Sequence, residues 1–422
     1  MKVLWITNIL FPEAEQLLTG SGELKASGGW MLGAANALLQ NKEVKLIVAS
    51  VSTKVHKLTK LEGHDILYYI LPMGKGNMNF NMDYCKYWRQ VNNDVKPDVV
   101  HIHGTEYSHG YAYMVACGYD NVVISIQGLT SAYYYYYYGM SKKDVYRNMT
   151  FRDLLRGSIL KGQKLFKERA VYEIAMLKMV KHVIGRTSWD KARVWAINPN
   201  AKYHFCNETL RAEFYDGAEW KYEKCNKHSI FLSQAGYPIK GLHQVLNAMP
   251  LILRHYPDAQ IRVAGTDITK SNSVIEKLRL SGYGKYIKSL ISKYNLKGKV
   301  LFTGNLNAEQ MKSEYLNANV FVCPSSIENS PNSLGEAQIL GTPCIASYVG
   351  GVMDMMKGNE DNIYRFEEIE MLAEKVCRVF ADGSKQIDMI ETASKRHCQI
   401  DNAIQLYHIY QSIKEIQSET FE

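Results

Sequence analysis

The sequence predicts an α/β protein built from two doubly wound domains, and three observations predict it. Short apolar runs rich in Val and Ile alternate with helix-period patterns from end to end. The runs are apolar on both faces, which suits buried parallel strands, and the helical stretches between them suit crossover connections. About six runs fall in each half of a 422-residue chain, a length expected to hold two or three domains.

In order, the first-half strands are expected at Lys2–Asn8, Val44–Val51, Ile66–Leu71, Asp98–His103, Val122–Gln127 and His182–Arg186. Those of the second half are expected at Ser229–Gln234, Gln260–Ala264, Lys299–Thr303, Asn319–Cys323, Pro343–Ser347 and Asn362–Phe366. The stretch Asn207–His228 is polar and mixed in charge, so the linker is placed there. The first domain is expected over 1–215 and the second over 216–402. The helical stretch Ala403–Ile416 lies far beyond the last strand, so a C-terminal helix within about 403–422 is expected to pack back on the first domain.

Composition narrows the class. Apolar residues make up 46% and charged residues 22%, which excludes a mostly disordered chain. No apolar run reaches the roughly 20 residues a spanning helix needs. The start, Met1 to Thr7, reads as a first strand and not as a leader. A net charge of +8, spread along the chain, favours an anionic partner. No nucleic-acid recognition motif is found. The eight cysteines form no CxxC pair and no metal-ligand spacing, and Cys323 and Cys344 sit in apolar stretches as buried thiols would. A reducing, cytoplasmic compartment is expected, in which the sequons at Asn148 and Asn207 carry no meaning.

Two segments stand out. Tyr133 to Tyr138 is a run of six tyrosines, either a half-buried aromatic loop or a surface for stacking sugars or meeting a membrane. Lys142–Arg169 carries nine basic residues against three acidic ones, with Phe151, Leu154, Leu155, Ile159 and Leu160 interleaved. It reads equally as a solvated helix with one buried face and as a helix lying on an anionic membrane surface.

The chemistry concentrates in Cys323-Pro-Ser-Ser-Ile-Glu328-Asn-Ser-Pro-Asn-Ser-Leu-Gly-Glu336. Ser330 as N-cap, Pro331 at the first position and Gly341 past the end predict a helix over 331–340. Its free amides at Asn332, Ser333 and Leu334 would form an anion site suited to a phosphate. Glu328 precedes the helix and Glu336 lies in its second turn, where a carboxylate can bridge two ribose hydroxyls. Lys240-Gly241 lies in a Pro/Gly loop after another strand, where an ammonium can meet a phosphate. Gly28-Gly29 opens an apolar-periodic helix and would let backbone approach a ligand closely. Gly20-Ser21-Gly22 is not a dinucleotide fingerprint, since Lys25 stands at the third glycine position. Taken alone, each of these motifs also reads as an ordinary capped helix or surface loop.

Together, Glu328 and Glu336 with seven residues between them, the Lys240 loop, the Gly28-Gly29 loop, the strand end Asp98 to Gly104 and Val349-Gly350-Gly351 resemble the retaining family-4 glycosyltransferases of GT-B architecture (glycosyl transferases group 1). The resemblance covers nearly the whole chain. It implies two Rossmann-like domains facing across a cleft, no metal ion, and sugar transfer from a nucleotide-diphosphate sugar bound mainly by the second domain. It further implies that Glu336 holds the ribose, that Glu328 lies beside the transferred sugar, and that Lys240 with the Asn332–Leu334 amides holds the diphosphate, the Gly28-Gly29 loop closing on it.

Two departures stand against the pattern. Where the family carries an Arg shortly before the Lys, this chain has Gln234 and Ala235; Arg186 is a candidate substitute across the cleft, or else the partner of Asp190. Where the family carries a His after the Val122–Ile126 strand, this chain has Gln127, which cannot move a proton but can hydrogen-bond a sugar. His103 is the nearest other titratable group. The expected partners are the nucleotide sugar, a glycan or lipid-linked glycan acceptor of bacterial surface polysaccharide synthesis, and the anionic inner face of the plasma membrane. A non-catalytic nucleotide-sugar or glycan-binding subunit and a nucleotide-sugar epimerase of the same architecture are the alternatives.

Overall fold

The computed structural model describes residues 1–20, 29–73, 80, 82–382 and 387–420. The chain forms two compact units. The first comprises Met1–Ser131, Lys167–Ala212 and Arg396–Glu422; the second comprises Ala132–Phe166 and Glu213–Lys395.

The first unit holds eight strands: β1 (Lys2–Thr7), β2 (Lys45–Ser52), β3 (Thr59–Glu62), β4 (Leu67–Pro72), β5 (Val99–His103), β6 (Val122–Ser125), β7 (His182–Gly185) and β8 (Lys202–Phe205). Their order across the sheet is β3-β4-β2-β1-β5-β6-β7-β8. All pairs are parallel except β3 with β4. The second unit holds β9 (Asn226–Leu232), β10 (Gln260–Val263), β11 (Val300–Phe302), β12 (Ala318–Cys323), β13 (Cys344–Ser347) and β14 (Ile363–Tyr364), in the order β11-β10-β9-β12-β13-β14, all parallel. These are two Rossmann-like sheets, the fold of a GT-B protein.

All twelve expected strands form, with ends displaced by a few residues. The two unexpected ones, β3 and β8, are the edges of the first sheet. Their residues are largely exposed or half-exposed, so no continuous apolar run marks them. The central strands are the reverse: every residue of β5, β6 and β12 is buried.

Near the linker, Trp220 is buried in the second unit and its indole N–H donates to the Ala318 carbonyl at 2.7 Å. The Gln399–Thr420 helix packs in the first unit, against the Gly29–Leu39 helix and the sheet. Its Tyr410 hydroxyl accepts from the Trp5 indole at 2.9 Å, and Ile409 and Ile413 join the core. Residues 132–166, placed with the first domain by the boundary at 215, pack instead in the second unit. The Gly139 carbonyl accepts from the His243 ring at 2.6 Å, and the Asp153 carboxylate accepts the Gly282 amide at 2.8 Å.

Candidate functional site

Each doubly wound sheet has one place where the strand order reverses, and the loops leaving the C-terminal strand ends there diverge to leave a crevice. In the second sheet that place is between β9 and β12. The loop after β9 runs through a short 3₁₀ turn, Pro238–Lys240, into the Leu242–His255 helix. The loop after β12 carries Glu328 and runs into the Asn332–Ile339 helix. Because β9 and β12 are hydrogen-bonded neighbours, the two loops lie side by side, and residues 88 apart in sequence meet.

They meet as an ion pair. Lys240 Nζ lies 2.5 Å from Glu328 Oε1, and the Ser325 hydroxyl donates to the same oxygen at 2.8 Å. Burial works against the ammonium, but the adjoining Glu328 carboxylate and Tyr237 outweigh it, so the Lys240 pKa is raised and the side chain stays charged.

Two glycines make the approach possible. Gly241 has φ +71°, and a Cβ built on it would lie 1.7 Å from the Pro324 carbonyl oxygen. Gly350 has φ +52°, and its Cβ would lie 1.8 Å from the carbonyl oxygen of Glu328, which also accepts the Gly351 amide at 3.1 Å. Any side chain at either position would force the Glu328 loop outward.

The helix begins one residue later than expected. Pro331 is the N-cap, in extended conformation, and Asn332 is the first helical residue. The Leu334 amide, expected to be free, donates to the Pro331 carbonyl at 3.0 Å. The amides of Asn332 and Ser333 keep no acceptor among the described residues, and the buried Asn332 Oδ1 has no partner there either. Glu336 is buried in the second turn, where its carboxylate accepts from the Tyr315 hydroxyl at 3.3 Å. The Ser326 hydroxyl donates to the Tyr136 carbonyl at 3.0 Å, which fixes the tyrosine run beside the Glu328 loop. Lys240, Glu328, Asn332, Ser333 and Glu336 are thus brought to one strand-order reversal, with a cation, two amides and two carboxylates.

The remaining candidates lie in the first unit. Gly28 falls outside the described residues, and Gly29 opens the Gly29–Leu39 helix. His103 ends β5 but points into the interior: it stacks on His101 with centroids 3.8 Å apart and lies 4.4 Å from the Trp5 ring. Neither ring nitrogen has a partner among the described residues. Burial lowers its pKa to about 3, so the ring is held neutral. It lines a cavity of about 50 Å³ with Trp5, Trp30, Asn207 and Glu208.

Arg186 is not the partner of Asp190 through its side chain. Asp190 caps its own helix and accepts the Arg186 backbone amide at 3.0 Å. The guanidinium pairs with Glu208 and donates to the Ile126 carbonyl at 2.8 Å. Gln127 donates to Glu208 Oε1 at 2.5 Å. Arg186 and Gln127 are therefore joined to one another through Glu208, inside the first unit.

Sequence reasoning missed Ser325 and Tyr315, which orient the two carboxylates. Ser325 lies within the motif, yet a serine in a loop carries no signal of its own. Tyr315 lies 21 residues before Glu336 and is supplied by tertiary packing alone.

This is a charged strand-end site on a parallel α/β sheet, with a lysine, two carboxylates and open helix amides at one crevice. Residues 219–396, which contain Lys240, Glu328, Asn332, Ser333 and Glu336, match the family described as glycosyl transferases group 1. An uncharacterized glycosyltransferase of Methanocaldococcus jannaschii is 28% identical over 170 residues, 40% of each chain. The chain thus matches well under half the length of this relative. Among solved structures, the sucrose-phosphate synthase of Thermosynechococcus elongatus superposes with a TM-score of 0.69 at 16% identity, over 98% of both chains. Anabaena HepE in complex with UDP superposes with a TM-score of 0.62 at 14% identity, over 98% of this chain and 100% of that one.

Proposed function

We propose that the protein is a retaining, metal-independent glycosyltransferase that moves a sugar from a nucleotide-diphosphate donor to a glycan or lipid-linked glycan acceptor in surface polysaccharide synthesis. The observation that carries this reading is the Lys240–Glu328 pair beside the open amides of Asn332 and Ser333. It is a preformed anion site whose cation has only a carboxylate to release. The group 1 match over the same residues supports it, and a structural neighbour is a complex with UDP.

In the reaction, the bond between the anomeric carbon and the diphosphate oxygen breaks as the acceptor oxygen bonds to that carbon on the same face. The acceptor's proton passes to the departing diphosphate. Negative charge grows on the diphosphate, so stabilising it is the main lever on rate. Lys240 supplies a fixed positive charge, and the amides of Asn332 and Ser333 supply aligned dipoles. Glu336 accepts from the ribose hydroxyls. Once Lys240 turns to phosphate, the carboxylate of Glu328 is free to hydrogen-bond the transferred sugar and to balance positive charge on its ring. The exposed Tyr135 and Tyr136 rings, held beside this loop, offer stacking surface to a sugar acceptor.

A thermal-shift screen over UDP-, GDP- and ADP-sugars should single out one donor by the melting-point rise it causes. With that donor and no acceptor, slow release of the nucleoside diphosphate is expected, unchanged by EDTA. Glu328→Ala should suppress release far more than donor binding. Binding without any release would favour the non-catalytic subunit, and recovery of an epimerised nucleotide sugar would favour the epimerase.

A further inference from the structure

The second unit exposes an unusual pair of short helices. Phe151–Arg156 shows Phe151, Leu154 and Leu155 to solvent, and Val274–Arg279 shows Val274, Ile275 and Leu278, at exposures from 54% for Leu278 to 72% for Val274. The helices are tied together: the Thr150 hydroxyl, at the N-cap of the first, donates to the Leu280 carbonyl, just past the second, at 2.8 Å. Asp153 holds the Gly282 amide at 2.8 Å. Six large exposed apolar side chains are thus carried by two touching helices that are distant in sequence. A monomer in water gains nothing from such a patch, whose natural counterpart is another surface.

The charge around it says which surface. Residues 142–164 and 270–285 hold eleven basic and three acidic residues, a net +8. The whole chain's formal charge is also +8, so the rest of the chain is balanced. The three acids are engaged in caps: Asp144 with Ser141, Asp153 with Thr150, and Glu276 with Ser273. Among the basic residues, Lys142, Lys143, Arg147, Arg156, Lys277 and Arg279 are exposed. The two segments therefore present exposed apolar side chains together with exposed lysines and arginines, while their three carboxylates are only partly exposed or buried and are engaged in caps.

We infer that the paired helices Phe151–Arg156 and Val274–Arg279 form a docking surface for an anionic lipid bilayer, with the six apolar side chains entering the headgroup region and the exposed lysines and arginines meeting lipid phosphates. Short helices of this kind lie in the interface without spanning it. Anionic lipids attract each nearby basic residue, and the attraction fades within a Debye length. The inference adds a partner to the reading above and does not depend on the donor chemistry.

The test is sedimentation of the full-length protein with vesicles of phosphatidylcholine alone or mixed with phosphatidylglycerol. Partitioning should be at least ~10-fold stronger on the anionic vesicles and should weaken steeply with salt. Leu154→Ser/Leu155→Ser/Ile275→Ser should lower it by ~10-fold or more through lost apolar burial, and Arg156→Glu/Lys277→Glu/Arg279→Glu by as much through charge reversal. All six positions are exposed, so both variants should keep the wild-type melting temperature and donor-dependent diphosphate release. Equal binding to both vesicle types, no binding to anionic vesicles, or a full response in the apolar variant would overturn the inference. So would a concentration-dependent dimer, abolished by the serine variant, in a protein that ignores vesicles: the patch would then be a contact between copies.

Discussion

The two sheets each reverse strand order once, and the two reversals are built oppositely. Between β9 and β12 the crevice holds Lys240 and Glu328, whose side chains keep 21% and 9% exposure, beside helix amides that have no acceptor among the described residues. Between β1 and β5 the strand ends turn inward: Trp5, His101 and His103 stack, and the nearby ion pair, Arg186 with Glu208, is 5% and 13% exposed and tied to main-chain carbonyls. A charge held by one exchangeable counterion is available to a ligand. A charge held by a carboxylate and by carbonyls of the next strand is committed to the fold. The same topology therefore yields an open charged crevice in one unit and a buried polar network in the other.

The largest expected difference between them is in acid. In the first unit His103 has its pKa lowered to about 3 by burial, His109 to about 4 by burial with help from Arg169, and His397 to about 4, chiefly by burial; His101 is also lowered by burial, then by His103. The second unit has one comparable group, His243, lowered by burial to about 4. A histidine with a depressed folded pKa stays neutral in the native state, while the unfolded chain takes up a proton below about 6.5. Each such group therefore costs about 1.4 kcal/mol of stability per pH unit as pH falls from 6.5 toward its folded pKa. Glu106, raised by burial to about 7, and Glu173, also raised by burial, act in the opposite sense, because the native state holds their protons more tightly. They offset two of these histidines at most, and His204, lowered to about 4 by burial, and His182, also lowered by burial, add to the first unit's loss. Hydrogen exchange at pH 7 and pH 5 should show first-unit peptides losing protection well before those of the second. Simultaneous loss would break the contrast.

The next effect separates the two ion pairs. Arg186→Met leaves Glu208 buried with only Gln127 for a partner and should cost about 3–5 kcal/mol of stability, seen as a lowered urea midpoint. Lys240→Met also strands a buried carboxylate, since Glu328 keeps only the Ser325 hydroxyl, so it should cost stability of the same order. Unlike Arg186→Met, it should also lower acceptor-free diphosphate release by ~10²–10³-fold, the usual loss when a donor to a developing anion is removed. Lys240→Met/Glu328→Gln should restore any lost stability without restoring release. If Arg186→Met instead abolished release in a protein of wild-type stability, the guanidinium would belong to the donor site after all.

How much of this was legible in the sequence follows from where each signal is stored. Strands buried on both faces announce themselves by composition, so the central strands were readable, and the half-exposed edges β3 and β8 were not. Glu328, Glu336 and Lys240 were readable only as a set: each motif alone also fits a capped helix or a surface loop, and the resemblance of the whole set to family-4 glycosyltransferases is what singled them out. The helix starts one residue later than expected: Ser330 fits the N-cap preference and Pro331 the first helical position, yet Pro331, which has no side-chain acceptor, stands at the N-cap. Arg186 and His103 were placed near the right strand ends, but whether a strand-end side chain faces ligand or core depends on what covers it. That depends on Trp30 and the Gln399–Thr420 helix, both distant in sequence. The assignment of 132–166 to the second unit rests on contacts such as Gly139 with His243, for which a linear reading has no sign.

The smallest effect sharpens the contrast at a single side chain. Gln127 stands where the resemblance leads one to expect a histidine, and its amide donates to Glu208 at 2.5 Å. If its work is to anchor the Arg186–Glu208 network, Gln127→Ala should cost about 1–3 kcal/mol, the penalty for a buried hydrogen bond lost to a charged group, and leave diphosphate release per folded molecule within ~2-fold of wild type. Gln127→Glu should destabilise the protein further at neutral pH, since it sets a second carboxylate against Glu208, and the defect should ease on mild acidification as one of the two takes a proton. If Gln127 instead touches the sugar, the alanine variant should lose release by tenfold or more at an unchanged urea midpoint. That outcome would make the first unit's reversal part of the reaction centre, and the division between a binding crevice and a structural one would no longer hold.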